Sequence, residues 1–95
     1  MAVSNNCFAM QGSVDLDAAG DWEQRLRAWL TAGEPPVVDL KEVTFIDSTG
    51  MNMLVRVSEN VEPLALVGLE PTLERLFALA GLEEVFTIER HDSPG

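Results

Sequence analysis

The chain has 95 residues, 46% of them hydrophobic, and this length and composition predict one globular domain with a single core. It carries 16 acidic residues against 6 basic ones, and its formal net charge is −10 at pH 7. This charge excludes a basic surface of the kind that binds nucleic acid or anionic lipid, and it favours a protein, for example a basic one, as the partner.

The N-terminal region shows no targeting signal. Residues 1–6 carry no cationic segment followed by an apolar core, and no apolar run approaches the roughly 18 to 20 residues that cross a bilayer. We therefore expect a cytoplasmic protein without direct membrane insertion. The single cysteine, Cys7, agrees with a reducing compartment, and a small strand residue is a better interpretation of it than a reactive thiol.

Two short extended stretches and one helix are predicted in the first third of the chain. Residues 7–9 and 14–16 flank a break at Gly12-Ser13, which suggests an N-terminal hairpin. A helix follows from about residue 18 to residue 31, before the stop signals that begin at Gly33. Its apolar face is expected to consist of Trp22, Leu26, Trp29 and Leu30.

The rest of the chain alternates strands with helices. Residues 37–46 form an apolar central strand with a bend, and a helix follows at once from Ser48 or Thr49 and ends near residue 58. Residues 63–68 form a third strand, residues 71–81 a third helix with its closing glycine, and residues 85–88 a last strand.

Strands that alternate with helices through short turns imply βαβ crossovers. The sequence therefore predicts a small single-domain α/β sandwich, with a central, mostly parallel sheet, an N-terminal antiparallel strand and about three to four helices. We expect the domain to cover residues 1–90 and residues 91–95 to form a flexible tail.

The tetrapeptide Asp47-Ser48-Thr49-Gly50 joins the central strand to the second helix. Side-chain oxygens of Asp, Ser and Thr accept hydrogen bonds from the free N–H groups of a first helical turn, so this stretch predicts a helix N-terminus, where anions are also favoured. On physics alone, a purely structural cap is the stronger interpretation. The functional alternative is phosphorylation of Ser48, whose charge would repel an acidic partner surface or clash with an apolar one.

The second helix has more apolar surface than a sheet alone requires. Met51, Leu54 and Val55 share one face, while Met53 and Val57 lie on the opposite side. Some of this surface is therefore expected to remain for a partner.

The sequence offers no evident catalytic constellation. His91 is the only histidine, so a hydrolytic pair of Ser48 and Asp47 lacks a base. One Cys and one His cannot form a typical zinc site, and no phosphate-binding loop is present. Asp15, Asp39 and Asp47 could bind a divalent cation, but aspartates at strand ends more often cap helices or turns. We expect no cofactor, no metal and no enzymatic activity.

Three stretches carry a resemblance to a known family: Gly12-Ser13-Val14-Asp15, then residues 38–54 around Asp47-Ser48-Thr49-Gly50-Met51, then residues 66–88 with Ala80-Gly81-Leu82. They resemble the STAS domains, and among these the anti-sigma factor antagonists of bacterial partner-switching systems. The second stretch is similar to the family's phosphorylation motif.

The resemblance implies that Ser48 is the phosphoacceptor for a serine kinase anti-sigma factor with a histidine-kinase-like ATP-binding fold. The unphosphorylated form would bind this kinase, phosphorylation would release it, and a PP2C-type phosphatase would restore the hydroxyl. Asp47 would cap the helix or position the acceptor, Thr49 would support the cap, and Gly50 would leave room for the kinase. The partner-binding residues would be Asp15, Asp47, Ser48, Thr49, Gly50, Met51, Asn52, Met53 and Val57.

Two alternatives stay open. STAS subunits of lipid-handling ABC transporters share the fold and a similar motif, so the chain could instead bind a transporter ATPase. A small nucleotide-binding module or hydrolase is the third and weakest interpretation.

Overall fold

The computed structural model describes residues 7–61, 64–82 and 84–90. Four strands and three helices alternate along them: β1 (Phe8–Val14), α1 (Leu16–Thr31), β2 (Val37–Ile46), α2 (Ser48–Ser58), β3 (Leu64–Leu69), α3 (Pro71–Leu79) and β4 (Phe86–Arg90). The strands form one parallel sheet in the order β1-β2-β3-β4. Right-handed crossovers between successive neighbours place the three helices on one face of that sheet. The predicted α/β class with a parallel sheet is confirmed.

The hairpin predicted around Gly12 is wrong. Residues 8–14 form one strand that pairs parallel to β2, from Phe8 with Val38 to Val14 with Ile46. Gly12 lies within this strand at a φ of 75°, next to a shift in the pairing register, so it accommodates an irregularity of the strand and not a turn. The described residues contain no antiparallel strand, and residues 1–6 lie outside them.

β2 holds two extra residues relative to β1, since the register between the two strands shifts twice. Each extra residue reverses which face the following side chains occupy. A regular strand would bury Phe45 and expose Ile46, whereas the second shift leaves Thr44 and Phe45 exposed and returns Ile46 to the core just before Asp47. The buried residues of β2 are Val38, Leu40, Val43 and Ile46.

The core lies between the sheet and the helices. On α1, Leu26 is fully buried, while Trp22 and Trp29 are half-buried and pack on Phe8 of β1 with ring centroids 6.0 and 5.9 Å apart, respectively. This confirms the predicted inner face of α1. The other large, fully buried side chains are Met10, Val14, Val38, Leu40, Met53, Leu54, Val57, Leu64, Leu66, Leu69 and Phe77.

An ion-pair network joins α1 to α2. Glu23 accepts hydrogen bonds from Arg56 of α2 at 2.8 Å and from Nε of Arg27 at 3.0 Å. These bonds, first the one from Arg56 and then the one from Arg27, hold the pKa of the Glu23 carboxyl below its usual value. The network fixes the two helices side by side, which matters because both begin at the same edge of the sheet.

Two predictions concern the ends of the chain. The tail predicted over residues 91–95 lies outside the described residues, so the domain boundary at residue 90 stays a prediction. Cys7 is half-buried, and this burial, together with the nearby Asp39 carboxylate, raises the pKa of its thiol. The thiol is therefore held protonated, as suits a structural residue.

Candidate functional site

Two neighbouring strands end side by side at the carboxyl edge of the sheet. Val14, the last residue of β1, pairs with Ile46, the last residue of β2. The backbone N–H of Asp47 also donates to the Val14 carbonyl, at 3.4 Å. Asp15 and Asp47 therefore follow at equivalent positions, and each begins the turn into its helix.

Both aspartates are helix N-caps. Asp47 has extended backbone angles (φ −109°, ψ −173°), and its Oδ1 accepts from the N–H of Gly50 at 3.0 Å. Asp15 has nearly the same angles (φ −117°, ψ −170°), and its Oδ1 accepts from the N–H of Ala18 at 3.2 Å. The predicted start of α2 is confirmed, and its cap hydrogen bond comes from Asp47 and not from Thr49.

Gly50 does not leave space for a partner, contrary to the expectation drawn from the family motif. It is buried, and a Cβ at this position would collide with the backbone carbonyl oxygen of Val14 and approach side-chain carbons of Val14 and Ile46 to 2.9 Å. The absent side chain lets the first turn of α2 press against the end of β1. Gly50 therefore serves the domain's own packing.

Met53 and Val57 are also unavailable to a partner, since both are fully buried. The expectation that they present an apolar surface is wrong because α2 has two apolar neighbours, the sheet and α1, and both cover it. The wide apolar surface of α2 is thus used inside the domain.

The predicted partner-binding residues of α2 that remain accessible lie within its first five residues. Ser48 is its first residue and is exposed, Asn52 is exposed, and Thr49 and Met51 are half-buried. Ser48 lies at the positive N-terminal end of the helix and directly follows Asp47, whose Oδ1 is engaged by the Gly50 N–H. Such a hydroxyl is open to a modifying enzyme.

Two exposed apolar side chains at this edge, Leu16 and Phe45, are not among the predicted partner-binding residues. Leu16 was assigned to a hairpin strand and Phe45 to a buried strand. The signal for Leu16 was present, because recognising Asp15 as an N-cap places Leu16 at the first, outward position of a helix. The exposure of Phe45 depends on the register shift, for which we find no sequence signal.

The alternative cation site at Asp15, Asp39 and Asp47 is wrong. Asp39 lies near the opposite end of β2, where its Oδ1 accepts from the N–H of Lys41 at 2.9 Å. Residues 7–61, 64–82 and 84–90 contain no group of three or more His, Cys, Asp or Glu side chains placed to hold a metal ion. His91, the one possible imidazole base, lies outside the described residues.

A family model for the STAS domain matches residues 1–92. The chain belongs to the STAS domain family. This STAS domain is similar to the crystal structure of an anti-sigma factor antagonist from Mycobacterium paratuberculosis, with a TM-score of 0.72 and 29% identity, covering 84% of this chain and 72% of the other. It is also similar in fold to the anti-sigma factor antagonist SpoIIAA in its unphosphorylated form, with a TM-score of 0.62 and 14% identity, covering 97% and 86% of the two chains, respectively.

Within the described part of this STAS domain, none of the helices combines the length and the apolar character that a membrane span requires.

Proposed function

We propose that this STAS domain is an anti-sigma factor antagonist that acts by binding a serine kinase anti-sigma factor, and that phosphorylation of Ser48 releases it. The observation that carries the proposal is the exposed Ser48 hydroxyl at the first residue of α2. The similarity to the mycobacterial anti-sigma factor antagonist supports the general role. The protein acts as a cytoplasmic binding module and not as an enzyme, and its unphosphorylated form frees the sigma factor.

The site can accept a phosphoryl group without a change of fold. The γ-phosphoryl group of ATP transfers to Ser48 Oγ, the hydroxyl proton passes to a base of the kinase, and ADP is the other product. The phosphate then lies at the positive end of α2, where a helix terminus tolerates an anion. Its roughly −1.5 to −2 charges change the surface that the partner contacts while the caps and the core stay in place. A PP2C-type phosphatase would hydrolyse the ester and restore binding.

Incubation with recombinant serine kinase anti-sigma factors and ATP, followed by intact-mass measurement and peptide mapping, tests the phosphorylation. We expect one phosphate on wild type, none on Ser48→Ala, and one on Ser13→Ala, a control that removes an exposed serine from the neighbouring strand. Failure to label wild type with any such kinase, or labelling of Ser48→Ala at the wild-type level, would count against the proposal.

Titration calorimetry against the same kinase with ADP tests the switch. We expect Ser48→Asp and the phosphorylated protein to bind at least tenfold more weakly than wild type. Asn60→Asp adds the same charge at an exposed position past the opposite end of α2 and should bind like wild type. If Ser48→Asp binds as tightly as wild type, the switch is absent. If the domain binds a recombinant ABC transporter ATPase and none of the kinases, the transporter alternative replaces this function.

A further inference from the structure

Two large apolar side chains beside Ser48 are left in solvent. Leu16 is 72% exposed and Phe45 is 51% exposed. Among the described residues only two other large apolar side chains are exposed, Leu79 and Val85, and these lie near the opposite edge of the sheet, where α3 ends and β4 begins. Exposed apolar side chains are ordinary when they are scattered, but here both belong to the two strand–helix junctions at the edge where Ser48 is exposed.

The strand pairing places both side chains close to Ser48. Leu16 begins α1 as Ser48 begins α2, each two residues past the Val14–Ile46 pair. Since β1 and β2 are neighbours in the sheet and α1 packs against α2, the two helices start from adjacent strand ends about 5 Å apart, so Leu16 and Ser48 lie near each other. Phe45 precedes Ser48 by three residues at the end of the same strand.

The core gains little from either side chain. Leu16 occupies the outward first position of a helix whose buried residues are Ala19 and Leu26. Phe45 lies on the outer side of the second irregularity of β2, and the neighbouring Ile46 fills the core instead. Packing within the domain therefore does not explain why these two positions are apolar.

The surroundings of this pair are acidic. Residues 8–17 and 42–53 contain Asp15, Asp17, Glu42 and Asp47 and no Lys or Arg. An apolar pair within an acidic rim is complementary to a protein surface with an apolar centre and a basic rim, since interfaces place opposite potentials against each other.

We propose that Leu16 and Phe45 are the apolar anchors for the kinase that phosphorylates Ser48, and that this kinase presents an apolar centre with basic residues around it. This inference rests on the proposed function. A stable interface covers about 800 Å² on each partner, a disc of about 16 Å radius, so a kinase centred on Ser48 also covers both anchors.

The anchors determine how a phosphate disrupts binding. A basic rim attracts the added negative charge, so like-charge repulsion cannot release this partner. The phosphate instead brings a strongly hydrated dianion into an interface whose apolar contacts require water to leave, and desolvation of that charge opposes association. Release by desolvation responds differently to salt from release by repulsion, because salt screens repulsion but does not dehydrate a phosphate.

Calorimetry against the kinase with ADP tests the anchors with Leu16→Ser and Phe45→Ser. The matched control is Leu79→Ser, which removes an equally exposed leucine (78%) near the opposite edge of the sheet. We expect each anchor variant to raise Kd by about tenfold or more, and Leu79→Ser to leave Kd unchanged. Circular dichroism melting of all three variants shows whether the fold is retained.

The outcomes separate this inference from the proposed function. If Ser48 is phosphorylated but both anchor variants bind as Leu79→Ser does, the anchors are wrong and the function stands. If the kinase binds wild type and the anchor variants weaken it, but Ser48 is never phosphorylated, the anchors stand and the switch fails. If no kinase binds wild type, both fail.

A salt series with the phosphorylated protein tests the release step. We expect its binding to stay weak, or to weaken further, as salt rises. Restoration of tight binding at high salt would show that like-charge repulsion weakens the binding. This result would contradict the proposal that the partner has a basic rim.

Discussion

The two helix junctions at the carboxyl edge of the sheet share the same cap, and all three residues that follow the cap differ. The first and the third of these differences distinguish the roles of the two junctions. In both, an aspartate with extended backbone angles follows a buried strand residue and caps the third residue of the helix. The first helical residue is Leu16 in one and Ser48 in the other, and the capped residue is Ala18 in one and Gly50 in the other.

This comparison separates structure from function within one motif. The aspartate cap is shared, so it is a device for starting a helix and says nothing by itself about phosphorylation. Gly50 is required because α2, unlike α1, starts against the backbone of a neighbouring strand end. The difference at the first helical residue, a leucine in α1 and a serine in α2, has no structural explanation.

The largest effect is expected from Gly50→Ala. The added Cβ meets the carbonyl oxygen of Val14, and a backbone atom cannot rotate away, so α2 or β1 must shift. We expect the free energy of unfolding to fall by about 2–3 kcal/mol. Ala18→Gly at the equivalent position of α1 should cost only about 0.5–1 kcal/mol. Urea denaturation of both variants gives the comparison, and equal losses would show that the two junctions pack alike.

The next effect is the loss of a cap. Asp47→Ala and Asp15→Ala should each lower the free energy of unfolding by about 1 kcal/mol, because each removes one hydrogen bond to a free helical N–H. Asn in place of either aspartate keeps a side-chain oxygen that accepts the hydrogen bond. This substitution should lower the free energy of unfolding by only about a few tenths of a kcal/mol. A loss at Asp47 several times that at Asp15 in urea titrations would give Asp47 a structural role beyond capping.

A smaller change is expected from charge at the first helical residue. Ser48→Asp and Leu16→Asp should each raise the free energy of unfolding by about 0.3 kcal/mol, because an anion at the first helical residue interacts favourably with the helix dipole. The gain is small because the neighbouring aspartates repel the added charge. Thermal melting at low salt measures this, and the gain should shrink as salt rises. A drop of several degrees in Ser48→Asp would mean that its weaker partner binding reflects unfolding.

The last prediction concerns the ion-pair network that holds the two capped helices together. The lowered pKa of Glu23 means that its ion pairs stabilise the fold above the ordinary glutamate pKa of 4.5, and that this contribution is lost as pH falls through the lowered value. Because the network is partly exposed, Glu23→Gln should cost at most about 1 kcal/mol at neutral pH.

Urea titrations of wild type and Glu23→Gln across this pH range measure that contribution. The difference between the two proteins should vanish at the acid end. Asp21→Asn, which removes an exposed pair with Arg25 inside α1, is the control and should change stability less. A difference that grows toward acid pH would contradict the assignment.

Much of the fold could be predicted because local signals agreed with tertiary packing. The second helix was expected from Ser48 or Thr49 to about residue 58, and the structure has it over Ser48–Ser58, since cap, apolar pattern and stop residues coincide. The hairpin prediction was wrong because Gly12, considered alone, is typical of a turn. In the structure its positive φ belongs to an irregularity in the parallel pairing of β1 with β2.

The site was harder to predict than the fold. Ser48 was identified from its motif, but the role of Gly50 depends on how closely another strand end approaches, and the burial of Val57 depends on α1 lying over α2. These are long-range contacts, and no local pattern encodes them.

The second extra residue of β2, which lies between Val43 and Ile46, has a consequence for insertions and deletions. Val43 and Ile46 both face the core although they are three positions apart, so the count of residues between them is one more than strict alternation allows. The exposed Thr44 contributes by adding one residue to the strand, and not through the contacts of its side chain. A length change of one residue between Val43 and the cap would alter the direction in which α2 starts, while a substitution there would not. The exposure of Ser48 therefore depends on the number of residues in this strand more than on their identity.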